Sequence, residues 1–181
     1  ANVKCNYLVG DVAAVKDILA AGGDIYLDES LALDNANVLY INSNATINLG
    51  SSALNTAGIV KIDKTQYPID IAAGSTVTIN GGTIAAASEV LNLDNKPIST
   101  VLHTTAGSTL NVNGTAFDNA TYNSQMKIEG TATFTDVVIK ATVSGLDTRG
   151  SALVTLNNVT INVVDSDAAA GYGSWVWACN Y

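Results

Sequence analysis

The chain has 181 residues and a formal net charge of −8, with only eight Lys and Arg side chains. That balance argues against the basic face that nucleic-acid phosphates require, and no apolar run approaches the ~20 residues needed to cross a bilayer. Hydrophobic residues make up 48% and charged residues 13%, so one domain with a sizeable core is expected, its polar positions filled by Asn, Thr, Ser and Gly as in many extracellular or virion β-proteins.

No N-terminal segment reads as a signal peptide, so any leader is expected to be removed or never present. A start at Ala1, as after loss of an initiator Met, fits cytosolic synthesis and later assembly without export. Cys5 and Cys179 sit near opposite ends of the sequence. A disulfide needs Cα atoms within roughly 7 Å, whereas six or so stacked strands separate the ends by about 25–30 Å. The expectation is two free thiols. Residues 11–21, DVAAVKDILAA, form the one clear helix pattern. Asp11 is a suitable N-cap, Val12, Val15, Ile18 and Leu19 share a face, and Gly22 and Gly23 stop the helix.

Short alternating runs follow at 24–30, 37–42, 58–63, 69–73, 89–94 and 126–130. Between them lie five near-copies of one window, starting at Asn44, Thr76, Thr109, Thr131 and Leu153: NATINLGSS, TVTINGGTI, TLNVNGTAF, TATFTDVVI and LVTLNNVTI. Their starts lie 32, 33, 22 and 22 residues apart (44 to 76, 76 to 109, 109 to 131, 131 to 153). The second position is small or apolar (Ala45, Val77, Leu110, Ala132, Val154) and the fourth apolar (Ile47, Ile79, Val112, Phe134, Leu156). The third is polar: Thr46, Thr78, Asn111, Thr133, Thr155. Period-two alternation marks a strand with one buried face, and recurrence at a longer fixed period marks a solenoid.

Stacked like on like, the apolar positions become inward ladders and the Thr-rich position an outward one. The fifth position, Asn48, Asn80, Asn113, Thr135 and Asn157, can form an Asn ladder. The sixth, Gly81, Gly114, Asp136 and Asn158, suits the positive φ of a sharp corner. The ninth returns to apolar: Ile84, Phe117, Ile139, Ile161. The first copy matches only through the fifth position. Loops 63–68 and 93–99, each holding one of the two prolines, are expected to absorb the surplus of the longer intervals, and such insertions often make a binding face.

The fold class expected is therefore all-β: a single parallel solenoid of about 22 residues per regular turn with three short strands each. Its divisions are 1–23 with a capping helix over the first rung, 24–164 the coil, and 165–181 a C-terminal segment. That last segment breaks the repeat and concentrates Tyr172, Trp175, Trp177 and Tyr181. It reads either as a cap on the last rung or as an aromatic contact for a subunit, a capsid or a sugar. Tyr172, Trp175 and Trp177 are the candidate contact residues.

The run AVKDILAAGGDIYLDESLAL and the motif AAGSTVTINGGTI resemble the opening and the rungs of right-handed parallel β-helix proteins. These include pectate-lyase-like folds, phage head fibres and tailspikes, and bacterial adhesins. The resemblance covers most of the chain and concerns architecture, which hosts many functions. It implies a right-handed coil and, by analogy with fibres that assemble side by side, a homo-oligomer, with a trimer favoured.

Chemistry is sparse. The enzymatic members of that class use clustered carboxylates with basic residues or calcium. Here Asp165 and Asp167, or Asp28 and Glu29, are the nearest approach to a cluster, and they read as solvated turn carboxylates. Arg149 is the one arginine and His103 the one histidine. His103 shares a strand side with Val101, which reads as a packed histidine. No GxSxG motif or zinc-type Cys/His spacing occurs, and no cofactor or metal is expected. Four N-x-[ST] sequons, at Asn44, Asn113, Asn119 and Asn158, are expected by chance in an Asn/Thr-rich chain. Paired TxT threonines at 76–78 and 131–133 resemble ice-binding arrays, but Asn44, Asn111 and Leu153 interrupt them. The expected function is a non-enzymatic structural protein of a bacteriophage virion, a head or tail fibre or decoration that attaches or adheres. Its partners would be other virion proteins or a host-surface glycan. A secreted surface adhesin comes second and a polysaccharide lyase or hydrolase third.

Overall fold

A computed structural model describes residues 6–86, 90–95, 100–119, 124–141, 144–163 and 175–178, with backbone alone for 6, 7, 119, 124, 125, 144, 163 and 175–178. In chain order the strands begin β1 Asn6–Val9, β2 Asp24–Leu27, β3 Leu31–Asp34, β4 Leu39–Ile41 and β5 Ala45–Gly58. They continue as β6 Lys61–Ile62, β7 Ile69–Ile71, β8 Thr76–Ala86, β9 Leu91–Asn92, β10 Thr100–Thr104, β11 Thr109–Asn113 and β12 Ala116–Asn119. The last are β13 Ser124–Ile128, β14 Thr131–Thr135, β15 Val138–Ala141, β16 Ser144–Thr148, β17 Leu153–Asn157, β18 Thr160–Val163 and β19 Trp175–Ala178. One helix, α1 Val12–Ala20, lies between β1 and β2.

The chain is mostly β, and its strand pairings are parallel. One run of strands follows β1-β2-β5-β8-β11-β14-β17, and a second six-stranded sheet follows β4-β7-β10-β13-β16-β19. A third run, β3 through the later halves of β5 and β8 to β12, β15 and β18, joins the first where those two long strands bend. From β2 onward each repeat thus contributes one strand to each of three faces.

Register follows the like-on-like columns. Ile47, Ile79, Val112, Phe134 and Leu156 are aligned neighbours, and the first four are fully buried. Leu54, Ile84, Phe117, Ile139 and Ile161 align on the third face. Phe117 and Phe134, from two faces, meet edge to face at 6.5 Å, a favoured aromatic geometry. Thr78, Thr133 and Thr155, on the outward side, are half-buried or exposed. Leu156 departs from its column and is 45% exposed, because β17 pairs only with β14 and no described strand stacks on its other side.

The corner after the first face is built as its residue types demand. Gly81, Gly114, Asp136 and Asn158 all take positive φ, between 53° and 68°. The first copy slips by one residue here, so that Gly50 aligns with Gly81 and Leu49 turns into the core. Gly82 has φ 57°, and a Cβ there would lie 2.4 Å from both Leu49 Cβ and the Ser52 carbonyl oxygen. Beside this corner runs a side-chain ladder. Asn113 Nδ2 donates to Asn80 Oδ1 and Asn80 Nδ2 to Asn48 Oδ1, each at 2.9 Å, and Asn48 Nδ2 donates to the Ile25 carbonyl at 3.1 Å. Thr135 ends it, and one column on Asn158 Nδ2 donates to Asp136 Oδ1 at 2.6 Å.

α1 starts where Asp11 accepts from the Ala14 amide at 3.1 Å. It ends where the Gly22 and Gly23 amides donate to the Leu19 and Ile18 carbonyls. Val15 and Leu19 are buried and the helix packs on β1 to β4, covering the first rungs. The surplus of the two longer turns has structure of its own: β6 and β9 pair with each other, and residues 63–68 form the loop leading into β7.

Phe134→Asp should destabilise the fold by more than about 3 kcal/mol, combining lost burial with an unpaired buried charge. Leu156→Ala, at the open rung, should cost roughly 1 kcal/mol. Equal losses in urea unfolding would contradict the burial pattern. Asn80→Ala removes two ladder bonds and should cost about 1–2 kcal/mol, more than Asn113→Ala, which removes one.

Candidate functional site

The outer side of the six-stranded sheet carries most of the chemistry in the described residues. Register places Tyr40 beside Asp70, Asp70 beside His103, His103 beside Lys127, and Lys127 beside Asp147. At Asp147 the column meets the backbone position of Trp177. Five steps of ~4.8 Å give a track about 24 Å long. The inner positions of the same strands, Ile69, Ile71, Leu102, Met126, Ile128 and Leu146, are buried, which fixes the alternate residues outward.

His103 is the centre of this track and only 7% exposed. Its Nδ1 lies 2.8 Å from Asp70 Oδ1. An ionised carboxylate only accepts, so this nitrogen carries a proton. Nε2 is buried without a hydrogen-bond partner, 3.8 Å from Glu129 Oε1. The Tyr67 ring stacks on the imidazole, centroids 4.3 Å apart and planes 28° apart. His103 is thus packed on the same strand side as Val101, also buried, and that side is the outer one.

Lys127 Nζ meets Glu129 Oε1 at 2.6 Å and stands 5.9 Å over the Tyr67 ring, within cation–π reach. The hydrogen bond from Lys127 holds the Glu129 carboxyl below the usual range against the opposing effect of burial, helped by the charges of Lys127 and His103. Burial works against the Lys127 charge but is outweighed by its bond to Glu129 and by Tyr67, so its pKa is raised. One rung further, Arg149 grips Asp147 with contacts of 2.8 to 3.0 Å.

The 63–68 loop brings Tyr67 over the strand and is tightly tied. Asp63 Oδ1 accepts from the Thr65 amide at 2.9 Å and hydroxyl at 2.7 Å, which keeps the Asp63 carboxyl below its ordinary value. Gln66 Oε1 accepts from the Asp63 amide, and the Pro68 carbonyl accepts from the Leu39 amide. Between this loop and β4 opens a cleft of about 250 Å³ lined by Val38, Tyr40, Thr65, Gln66, Tyr67 and Asp70.

Of the residues singled out in the sequence, Trp175 and Trp177 lie in β19, whose backbone pairs with β16 in register with Ser144 and Asp147. Tyr172, Tyr181, Cys5, Cys179, Asp165 and Asp167 lie outside the described residues. Asp28 and Glu29 are exposed at the corner after β2. The Tyr40, Tyr67 and Asp70 grouping was not anticipated. The signal was present: Asp70 and His103 are 33 residues apart, the interval that separates Asn80 from Asn113 in the Asn ladder. Comparison with known proteins gives no matching family model, no matching curated protein and no matching solved structure. None of the helices in the described residues is long and apolar enough to cross a membrane.

Glu129 has a lowered folded pKa, so its stabilising effect is complete above the ordinary value of 4.5 and is lost as pH falls through the lowered one. The Lys127 share is complete below 10.5 and fades only as pH rises through its raised value. Wild type should therefore be more stable than Glu129→Gln at pH ~7, and the gap should close as pH is lowered to about 3. A thermal-unfolding gap that stays constant over that range contradicts the assignment.

Proposed function

We propose that the chain is a single right-handed parallel β-helix that serves as a non-enzymatic structural module, a fibre or decoration component of a bacteriophage virion that holds an attachment surface. The observation carrying this reading is the in-register stack itself: apolar and Asn columns repeat from rung to rung and make a stiff scaffold. Sites on a solenoid's outer face are then held at fixed spacing. The non-enzymatic reading is supported by the state of His103, the one histidine, and of Arg149, the one arginine. His103 Nε2 is sealed beneath Tyr67, and Arg149 is engaged with Asp147.

The module acts as a homo-oligomer, a trimer in the favoured form, with Tyr172, Trp175 and Trp177 at or near the contact. Support comes from the last described rung, where Leu153 and Leu156 are exposed apolar residues on a strand paired on one side only, an arrangement natural proteins usually cover.

Mass spectrometry of gradient-purified virions from the source should detect the chain at stoichiometric level. Its absence from every particle fraction, or turnover of an acidic polysaccharide that Arg149→Ala or His103→Ala abolishes, overturns the reading. Light scattering tests the oligomer separately, and a monomer at tens of micromolar removes it.

A further inference from the structure

We propose that the cleft between Tyr40 and the 63–68 loop binds one neutral sugar residue, with the Tyr40 ring as platform and Asp70 Oδ2 as acceptor for ring hydroxyls. The inference deepens the attachment reading and rests on it for its biological meaning, while the chemistry is local to the cleft.

Three observations converge. Tyr40 is 57% exposed, although its strand neighbours Leu39 and Ile41 are buried. A large ring held out on a rigid strand offers apolar area at little entropic cost. Asp70 lies beside it in register, and its side chain is only 17% exposed. One of its oxygens is held by His103 Nδ1 at 2.8 Å, and the other bonds to no described residue. A carboxylate oriented from behind, with a free oxygen on the cleft side of the sheet, is pre-organised to accept. The loop completes the complement. Gln66 spends its carbonyl on the Asp63 amide, so its amide hydrogens remain as donors. The Thr65 hydroxyl donates to Asp63 and keeps lone pairs to accept.

The cleft therefore sets donors and acceptors side by side, next to aromatic and apolar surface from Tyr40, Tyr67 and Val38. Vicinal hydroxyls both donate and accept, and the C–H face of a sugar ring packs on an aromatic plane. A quaternary ammonium would use the rings and the carboxylate but leave the Gln66 donors unmatched, and Asp70 already shares its charge with His103. At about 250 Å³ the cleft lies below the usual size of a drug-like pocket. That suits one sugar unit, such as the end of a glycan, at millimolar affinity.

Saturation-transfer NMR on the full chain tests this with glucose, galactose, mannose, rhamnose and N-acetylglucosamine, and with choline chloride as the competing class. At least one sugar should receive saturation. Tyr40→Ala, whose ring is outside the core, should abolish transfer with an unchanged circular dichroism spectrum. Tyr40→Phe should keep it, and Asp70→Asn should weaken it about tenfold. No transfer to any of these sugars, or transfer indifferent to Tyr40→Ala, overturns the assignment. Transfer to choline alone makes the cleft an ammonium site and overturns it equally. Failure of the attachment reading is distinguishable, because it is read from virion content: sugar binding in a chain absent from virions sinks attachment and leaves the cleft, and the converse sinks the cleft alone.

Discussion

The backbone bonds that join these strands run between residues a whole repeat apart, and everything else in the molecule depends on that. A parallel pair cannot be closed by a tight hairpin, so each strand finds its partner only after the chain has passed along two other faces. Once it does, a residue is stacked on its own counterpart. An apolar position buried in one repeat is then buried in the next, and a slip of one residue would turn every side chain over. This is why Ile47, Ile79, Val112 and Phe134 can differ in shape yet hold one register, and why Asn48, Asn80 and Asn113 can donate along a line.

The same constraint explains where pattern reading succeeds and where it fails. The first-face windows recur almost unchanged, since their inner and corner positions are each set by stacking, and α1 is marked by Asp11 and the glycine pair. The other two faces are less visible. The third-face strands β12, β15 and β18 show themselves only as a ninth apolar position. The six-stranded sheet has unequal spacing, because insertions and corners of different length fall between its strands. Column matching there requires knowing the register first. Thus Asp70 and His103 are seen as a pair only once β7 and β10 are laid side by side. Leu156 shows the opposite failure: its column predicts burial, but burial also needs a following rung.

The chemistry sits where the repeat is least regular. The loop of residues 63–68 exists because its turn is longer than the regular 22-residue ones, and its tyrosine covers a histidine that a bare strand would leave in water. The outer side of this sheet is polar yet largely closed: Glu129 pairs with Lys127, Asp147 with Arg149 and His103 Nδ1 with Asp70. The regular turns give stiffness, and the longer ones give a surface with shape.

The direction of the inter-strand hydrogen bonds also sets how the molecule bears a load. They point from strand to strand along the order β4-β7-β10-β13-β16, so a pull in that direction opens one ladder at a time, like a zipper. A pull along the strands must shear a whole ladder at once. A tether fixed to the last strand would let the stack peel, whereas one fixed to exposed side chains on several rungs would spread the force across it. Mechanical strength in such a molecule is a property of where it is held.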